Sequence, residues 1–333
     1  MIACFIWIGI IINLPNPKNT NLKAEFYRNA LNLLRTKFTK IKIAIVYSEK
    51  WQNDDNTWSD LRINSSEAAL KAYQEGISSN YFVGKDGIII QGDQIVPLNN
   101  GCYTGIFPGW GQYEDNVDKN LLYNIESLSG KSFSFVPFSV FFGRNYTSDK
   151  NLIEISNYGA IPLIRFMPWG EPYWEAGYQE NYSLIRIING EFDTFLSKWA
   201  DIIKNFSKIV MATFGVEMNG NWFPWSGIFQ GGNNTDGYGN NTIPDGPEKY
   251  IDAFRHIIDL FKNKSVNNVL WYFHVNHESY PDENWNSIEN YYPGDNYIDW
   301  IGFSLYGAQY YDEEWTRFDD LMGPIYNLSL IHI

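Results

Sequence analysis

At 333 residues the chain can fill one barrel-sized core, and a hydrophobic content of 44% excludes a disordered or collagen-like polymer. The net charge of -13 excludes the basic surface that nucleic acid demands and argues against anionic substrates and membrane surfaces. Two cysteines allow no disulfide framework and four histidines form no HExxH zinc pattern, whereas 17% aromatic residues suit either a sugar binder or an aromatic-rich core.

In chain order, the apolar stretch Met1–Leu14 has no basic flank before Lys18 and no small-residue cleavage site, and it is short for a membrane span. It reads as a buried strand, with a cryptic signal peptide as the second reading. Leu22–Phe38 carries Phe26, Ala30, Leu33 and Leu34 on one helical side, and Ile41–Tyr47 is a strong strand. Ser66–Glu75 reads as a helix capped by Ser65 or Ser66 and stopped by Gly76. Gly84–Asn100 has the turn residues of a hairpin or linker, and a boundary is placed there. Strands are then expected at Cys102–Phe107, Ser132–Phe142, Ile161–Met167, Ile209–Phe214, Asn268–Val275 and Ile298–Leu305. They are apolar without clean alternation, as parallel strands covered on both faces are. Pro137 argues against one regular strand across the second run. Apolar stripes within Phe192–Phe206 and Tyr250–Phe261 predict covering helices, and Gly130 and Gly159 sit at helix ends. Such repetition means a doubly wound sheet or a barrel, and no GxGxxG supports the nucleotide-binding form of the first.

The densest chemical signal is Phe214-Gly-Val-Glu-Met-Asn-Gly-Asn-Trp-Phe-Pro-Trp225, directly after an apolar strand. In a barrel, residues past a strand's C-terminal end line the active-site face. Glycoside cleavage needs a proton donor at the scissile oxygen and a second carboxylate as nucleophile or base. Glu217 is the candidate donor, with Trp222 as a sugar platform and Asn219, Trp225 and Trp169 as further substrate contacts; a capping or ion-paired surface carboxylate is the alternative for Glu217.

This segment resembles the acid/base motif of glycoside hydrolase family 26, which includes endo-β-1,4-mannanases and some mixed-linkage glucanases and β-1,3-xylanases, and the similarity extends over residues 101–321. Gly105-Ile-Phe-Pro-Gly-Trp110 resembles the family's first strand and loop, and Ile161-Pro-Leu-Ile-Arg-Phe-Met-Pro-Trp-Gly-Glu-Pro172 the third. Asn268-Val-Leu-Trp-Tyr-Phe273 with Tyr291-Tyr-Pro-Gly294 resembles the fifth, and Ile298-Asp-Trp-Ile-Gly-Phe-Ser-Leu-Tyr306 the sixth. The resemblance implies a (β/α)8 TIM barrel and a retaining mechanism, most closely on β-1,4-mannan, with Glu217 as acid/base and Tyr306 bonded to the nucleophile. It implies no cofactor and no metal, a polysaccharide partner, and secretion, because such polymers lie outside cells.

Two departures stand out. Val216 occupies the place of a histidine, and no acidic residue follows Asp320, whereas the family's nucleophile belongs at the end of the seventh strand, after the Tyr306 region. Strands one to six are accounted for, and Ile41–Tyr47 resembles the eighth. Either the chain is cut from a tandem, with residues 1–83 ending one barrel, 84–100 as linker and 101–333 beginning another, or it is circularly permuted with Met1–Ile12 as strand seven. The tail from Gly323 favours the first. Without a nucleophile, the alternative function is glycan binding without hydrolysis. Glu278, Asp312, Glu313 and Glu314 read as solvated loop charges; Glu171 and Trp174 as subsite or loop residues; Arg165 as a buried charge with an acidic partner; Trp271 and Trp300 as core; His274 and His277 as loop or substrate-bonding residues; and the polar loop 231–242 as a cleft border.

Overall fold

The computed structural model describes residues 4–11, 20–52, 56, 58–173, 177–307 and 316–331. Eight strands carry the fold: β1 Cys4–Ile11, β2 Ile41–Tyr47, β3 Cys102–Phe107, β4 Phe135–Phe141, β5 Ile161–Met167, β6 Val210–Phe214, β7 Val269–Asn276 and β8 Trp300–Tyr306. Each is paired with the next in the chain, and β8 is paired with β1. Sequential pairing that returns to its start is the strand order of a (β/α)8 barrel. The β1–β2, β2–β3, β3–β4, β5–β6 and β6–β7 ladders are parallel. Strands β2 to β7 are buried at every position, as strands covered on both faces must be.

Of the two readings of strand order, the permuted one describes this pairing. Across the expected boundary at 84–100, β2 before it and β3 after it form one ladder from Ile43↔Tyr103 to Tyr47↔Phe107. Within residues 84–100 there is a short hairpin, Ile90–Gln91 with Gln94–Ile95, turning at Gly92 with φ +60°. Pro137 lies inside a regular β4 rather than breaking it, and its carbonyl accepts the Trp110 indole N–H at 2.7 Å.

Two compact units divide the chain. Residues 139–152 and 163–303 form the first. Its β5, β6 and β7 are in register from Leu163↔Met211 and Met211↔Leu270 onward. Helices α6 Asp193–Phe206 and α7 Asp245–Asn263 cover the outer side chains: Phe166 meets Trp199 and Phe261, and Trp271 meets Phe254 and Phe261. That agrees with Trp271 as a core residue, and Trp300 is buried too, at 3% exposure.

The second unit takes in the described residues of 2–138, 153–162 and 304–333. Here α1 Thr20–Thr36 and α2 Glu67–Ile77 lie against one another. Ser66 caps α2 by accepting the Ala69 N–H at 3.1 Å. Gly76 does not stop α2 but lies within it: a Cβ there would come 2.4 Å from Leu31 Cδ1, so glycine allows the close approach of α1. Gly130 (φ +74°) and Gly159 (φ +103°) do end helices α3 Lys119–Ser129 and α4 Lys150–Tyr158.

Candidate active site

Strand β6 delivers the motif. The chain leaves it through Gly215 at φ +52° and reaches Glu217 at φ +56°. The left-handed region is free to glycine but costs another L-residue about 1–2 kcal/mol, so the glutamate is held there by its surroundings. The Gly215 N–H bonds to Phe166 O in β5 at 2.9 Å, and the Glu217 N–H bonds to His274 O in β7 at 2.9 Å. The turn is thereby hung between the two neighbouring strands. The result is a glutamate only 5% exposed whose Oε2 accepts the Trp222 indole N–H at 2.9 Å. Gly220 lets the Trp222 ring fold back: a Cβ at that position would meet the ring at 2.4 Å.

Other motif residues take different parts from those expected. Asn219, expected as a substrate contact, is engaged by protein partners. It is fully buried; its Nδ2 faces Asn276 O, Glu278 O and Ser279 Oγ, and its Oδ1 accepts the Asn276 N–H at 2.9 Å. Its backbone oxygen accepts from Tyr280 N and Asn286 Nδ2. Asn219 is a clamp that ties the β6 turn to the loop after β7. Trp225, expected as a substrate contact, is fully buried, donates to Val216 O at 2.7 Å and stacks on Phe223 at 4.4 Å. Trp169 is buried among Phe141, Tyr173, Phe223 and Trp225, at ring distances of 5.2 to 5.7 Å. Among the described residues its indole N–H has no hydrogen-bond partner, and packing fixes the ring.

Tyr306 ends β8 half-buried. Glu171 is exposed, and Trp174, Asp312, Glu313 and Glu314 lie outside the described residues. Glu278 is 54% exposed at its side chain; it stands 3.8 Å from His277 Nε2 and accepts the Tyr280 hydroxyl at 2.9 Å. His274 is no loop residue but a buried member of β7. Burial, followed by the nearby Arg165 charge, pushes its pKa down to about 3, which keeps the ring neutral. Loop 231–242 folds onto α7, whose carboxylates accept its amides: Gly237 N–H to Asp245 and Asn240 N–H to Glu248.

Sequence reading missed Tyr280, which is 44% exposed and packs edge-on to Trp222 with ring centroids 5.7 Å apart. It also missed Asn276 and Asn286, the partners of the clamp. Pro281 and the asparagines nearby mark a structured loop in sequence, but nothing local says that its partner is residue 219.

Residues 179–327 match the family model described as Glycosyl hydrolase family 26. The match spans less than half of the chain. Endoglucanase H of Acetivibrio thermocellus is 30% identical over 236 residues, covering 68% of this chain and 23% of that protein. Mannan endo-1,4-beta-mannosidase A and B of Caldalkalibacillus mannanilyticus is 26% identical over 181 residues, covering 49% and 31%. The chain thus spans a third or less of the curated relatives it matches. Among solved structures, the Bacillus subtilis mannanase man26 is 19% identical, with a TM-score of 0.45 and coverage of 63% of this chain and 65% of that one. The family-26 match begins at 179 and takes in Glu217, the Asn219 clamp and the loop after β7.

Proposed function

We propose that this chain is a β-glycan hydrolase, with β-1,4-mannan as its first candidate substrate and Glu217 as the group that protonates the glycosidic oxygen. The observation that carries the reading is the buried Glu217 carboxylate, set in left-handed backbone at the end of a barrel strand and oriented by the Trp222 N–H. Strain of this kind persists only where the surroundings over-determine it, and it concentrates at functional sites. A fixed donor beside the scissile oxygen is what leaving-group departure requires. The family-26 match over residues 179–327 supports the reaction class, and the two curated relatives, an endoglucanase and a mannosidase, support the substrate class. The proposed retaining route adds a covalent glycosyl intermediate, with Glu217 acting as acid in its formation and as base in its hydrolysis. Secretion is proposed on the same ground, since the polymer lies outside the cell. No described helix is long and apolar enough to cross a membrane.

A second reading has its own observation. Strand β1 follows β8 in the pairing order, and its sequence, CFIWIGII, holds no carboxylate. A site with a donor and no nucleophile would bind glycan without cleaving it. Reducing-sugar release from soluble glucomannan, galactomannan, lichenan and β-1,3-xylan separates the two. Release by the wild-type chain that falls at least a thousandfold in Glu217→Gln, with folding intact, is the expected result. Equal release by Glu217→Gln would remove the acid/base assignment, and glycan binding without release would establish the second reading.

A further inference from the structure

Protonation of a glycosidic oxygen puts the departing sugar on the donor's side, so whatever aromatic surface adjoins Glu217 is placed to hold it. Trp222 is occupied there: its N–H is given to Glu217, its ring lies on Gly220, and it is half-buried. Tyr280 meets the edge of Trp222 and keeps 44% of its surface in solvent. Its position is fixed from three directions. The backbone N–H bonds to Asn219 O at 2.8 Å, the hydroxyl bonds to Glu278 Oε2 at 2.9 Å, and the ring packs on Trp222. An exposed tyrosine held this firmly loses little conformational freedom when a flat partner arrives. Beyond it in the chain, Asp282, Glu283, Asn284 and Trp285 line a shallow depression with Asn233. Carboxylates and amides of this kind suit the hydroxyls of a neutral sugar and repel a uronate.

We propose that Tyr280 is the platform for the leaving-side sugar of a neutral β-glycan, with the depression after it receiving the continuing chain. This rests on the hydrolase reading. The test compares two substrates. In soluble glucomannan a sugar occupies the leaving side; in a β-glycosyl fluoride of the same sugars only fluoride does. Tyr280→Ala is expected to raise KM for the polymer about tenfold, the scale of one stacking contact, and to leave kcat/KM for the glycosyl fluoride within about twofold. Tyr280→Phe, which keeps the face and loses the bond to Glu278, is expected to behave as wild type on both. Polymer kinetics unchanged in Tyr280→Ala would overturn the proposal, and so would an equal loss on both substrates with a lowered melting midpoint, which marks a structural role. A wild-type chain that cleaves neither substrate tells against the hydrolase reading alone. Calorimetric titration with a β-1,4-linked oligosaccharide then decides on Tyr280: binding about tenfold weaker in Tyr280→Ala supports the platform, and equal or absent binding refutes it.

Discussion

Glu217 sets a stability problem that its own substitution can measure. Its backbone is left-handed and its carboxylate is buried against Trp222. Alanine at 217 removes the carboxylate but keeps a Cβ in the unfavourable region, whereas glycine removes both. Elsewhere in ordered structure glycine is the less stable of the two, through its greater loss of backbone entropy. At this position the order should reverse, with Glu217→Gly more stable than Glu217→Ala by about 1 kcal/mol. Urea unfolding of the pair checks it, and an alanine variant as stable as the glycine one would show the turn to be unstrained. Neither φ nor burial is written in the motif. What the motif does show is a carboxylate after an apolar strand, followed by tryptophans, and that much was legible. The duties of Asn219 and Trp225 were not, because Asn219 is explained by partners at 276–286 and Trp225 by a backbone carbonyl nine residues back and rings from two loops.

Elements were more legible than contacts. The ends of β2, β3 and β5 fall where hydrophobic runs stop, because a strand buried on both faces is apolar over most of its length, with Lys42, Thr104 and Arg165 as the buried exceptions. Gly76 shows the limit. A helix-ending glycine and one that admits a neighbouring helix look alike in sequence, and only the 2.4 Å approach of Leu31 separates them. His274 was misplaced by a similar ambiguity: it lay inside the expected strand Asn268–Val275, yet a histidine at the end of an apolar run looks like the start of a loop, and Val269–Asn276 holds it in the interior. Its consequence is measurable. The folded-state pKa lies near 3, against 6.5 for an ordinary histidine. Between these values the unfolded chain binds the extra proton, so stability rises with pH across this window. The contribution is complete above pH 6.5 and is lost as pH falls toward 3, at a slope approaching 1.4 kcal/mol per pH unit. Urea midpoints measured from pH 4 to 7 should show this slope in the wild type and a shallower one in His274→Gln. Parallel slopes would mean that the imidazole is accessible to protons in the folded protein.

At the scale of the molecule, one sequence admitted two architectures, and local patterning had no means of choosing. Ile41–Tyr47 has the same apolar character whether it ends one barrel or takes its place beside β3 in another. The choice is made by a ladder joining residues some sixty positions apart, Ile43↔Tyr103 to Tyr47↔Phe107, and by β1, which pairs along the other side of β2 with Phe5↔Ile41 to Ile8↔Ile45. Strand β2 is therefore central, which accounts for the burial of all seven of its residues. Removing residues 1–13 would turn it into an edge: a row of unpaired N–H and C=O groups on a continuous apolar strand, the arrangement that templates association between chains. The expected outcome is a truncated chain that elutes as oligomer or aggregate in size-exclusion chromatography and lacks the cooperative unfolding of the full chain. Residues 1–13 added back as a peptide should restore part of the monomer, because β1 offers β2 the same parallel ladder in trans. A truncated chain that remains monomeric and unfolds at the wild-type midpoint would show that β1 contributes nothing to the barrel. The tandem reading would then regain its ground.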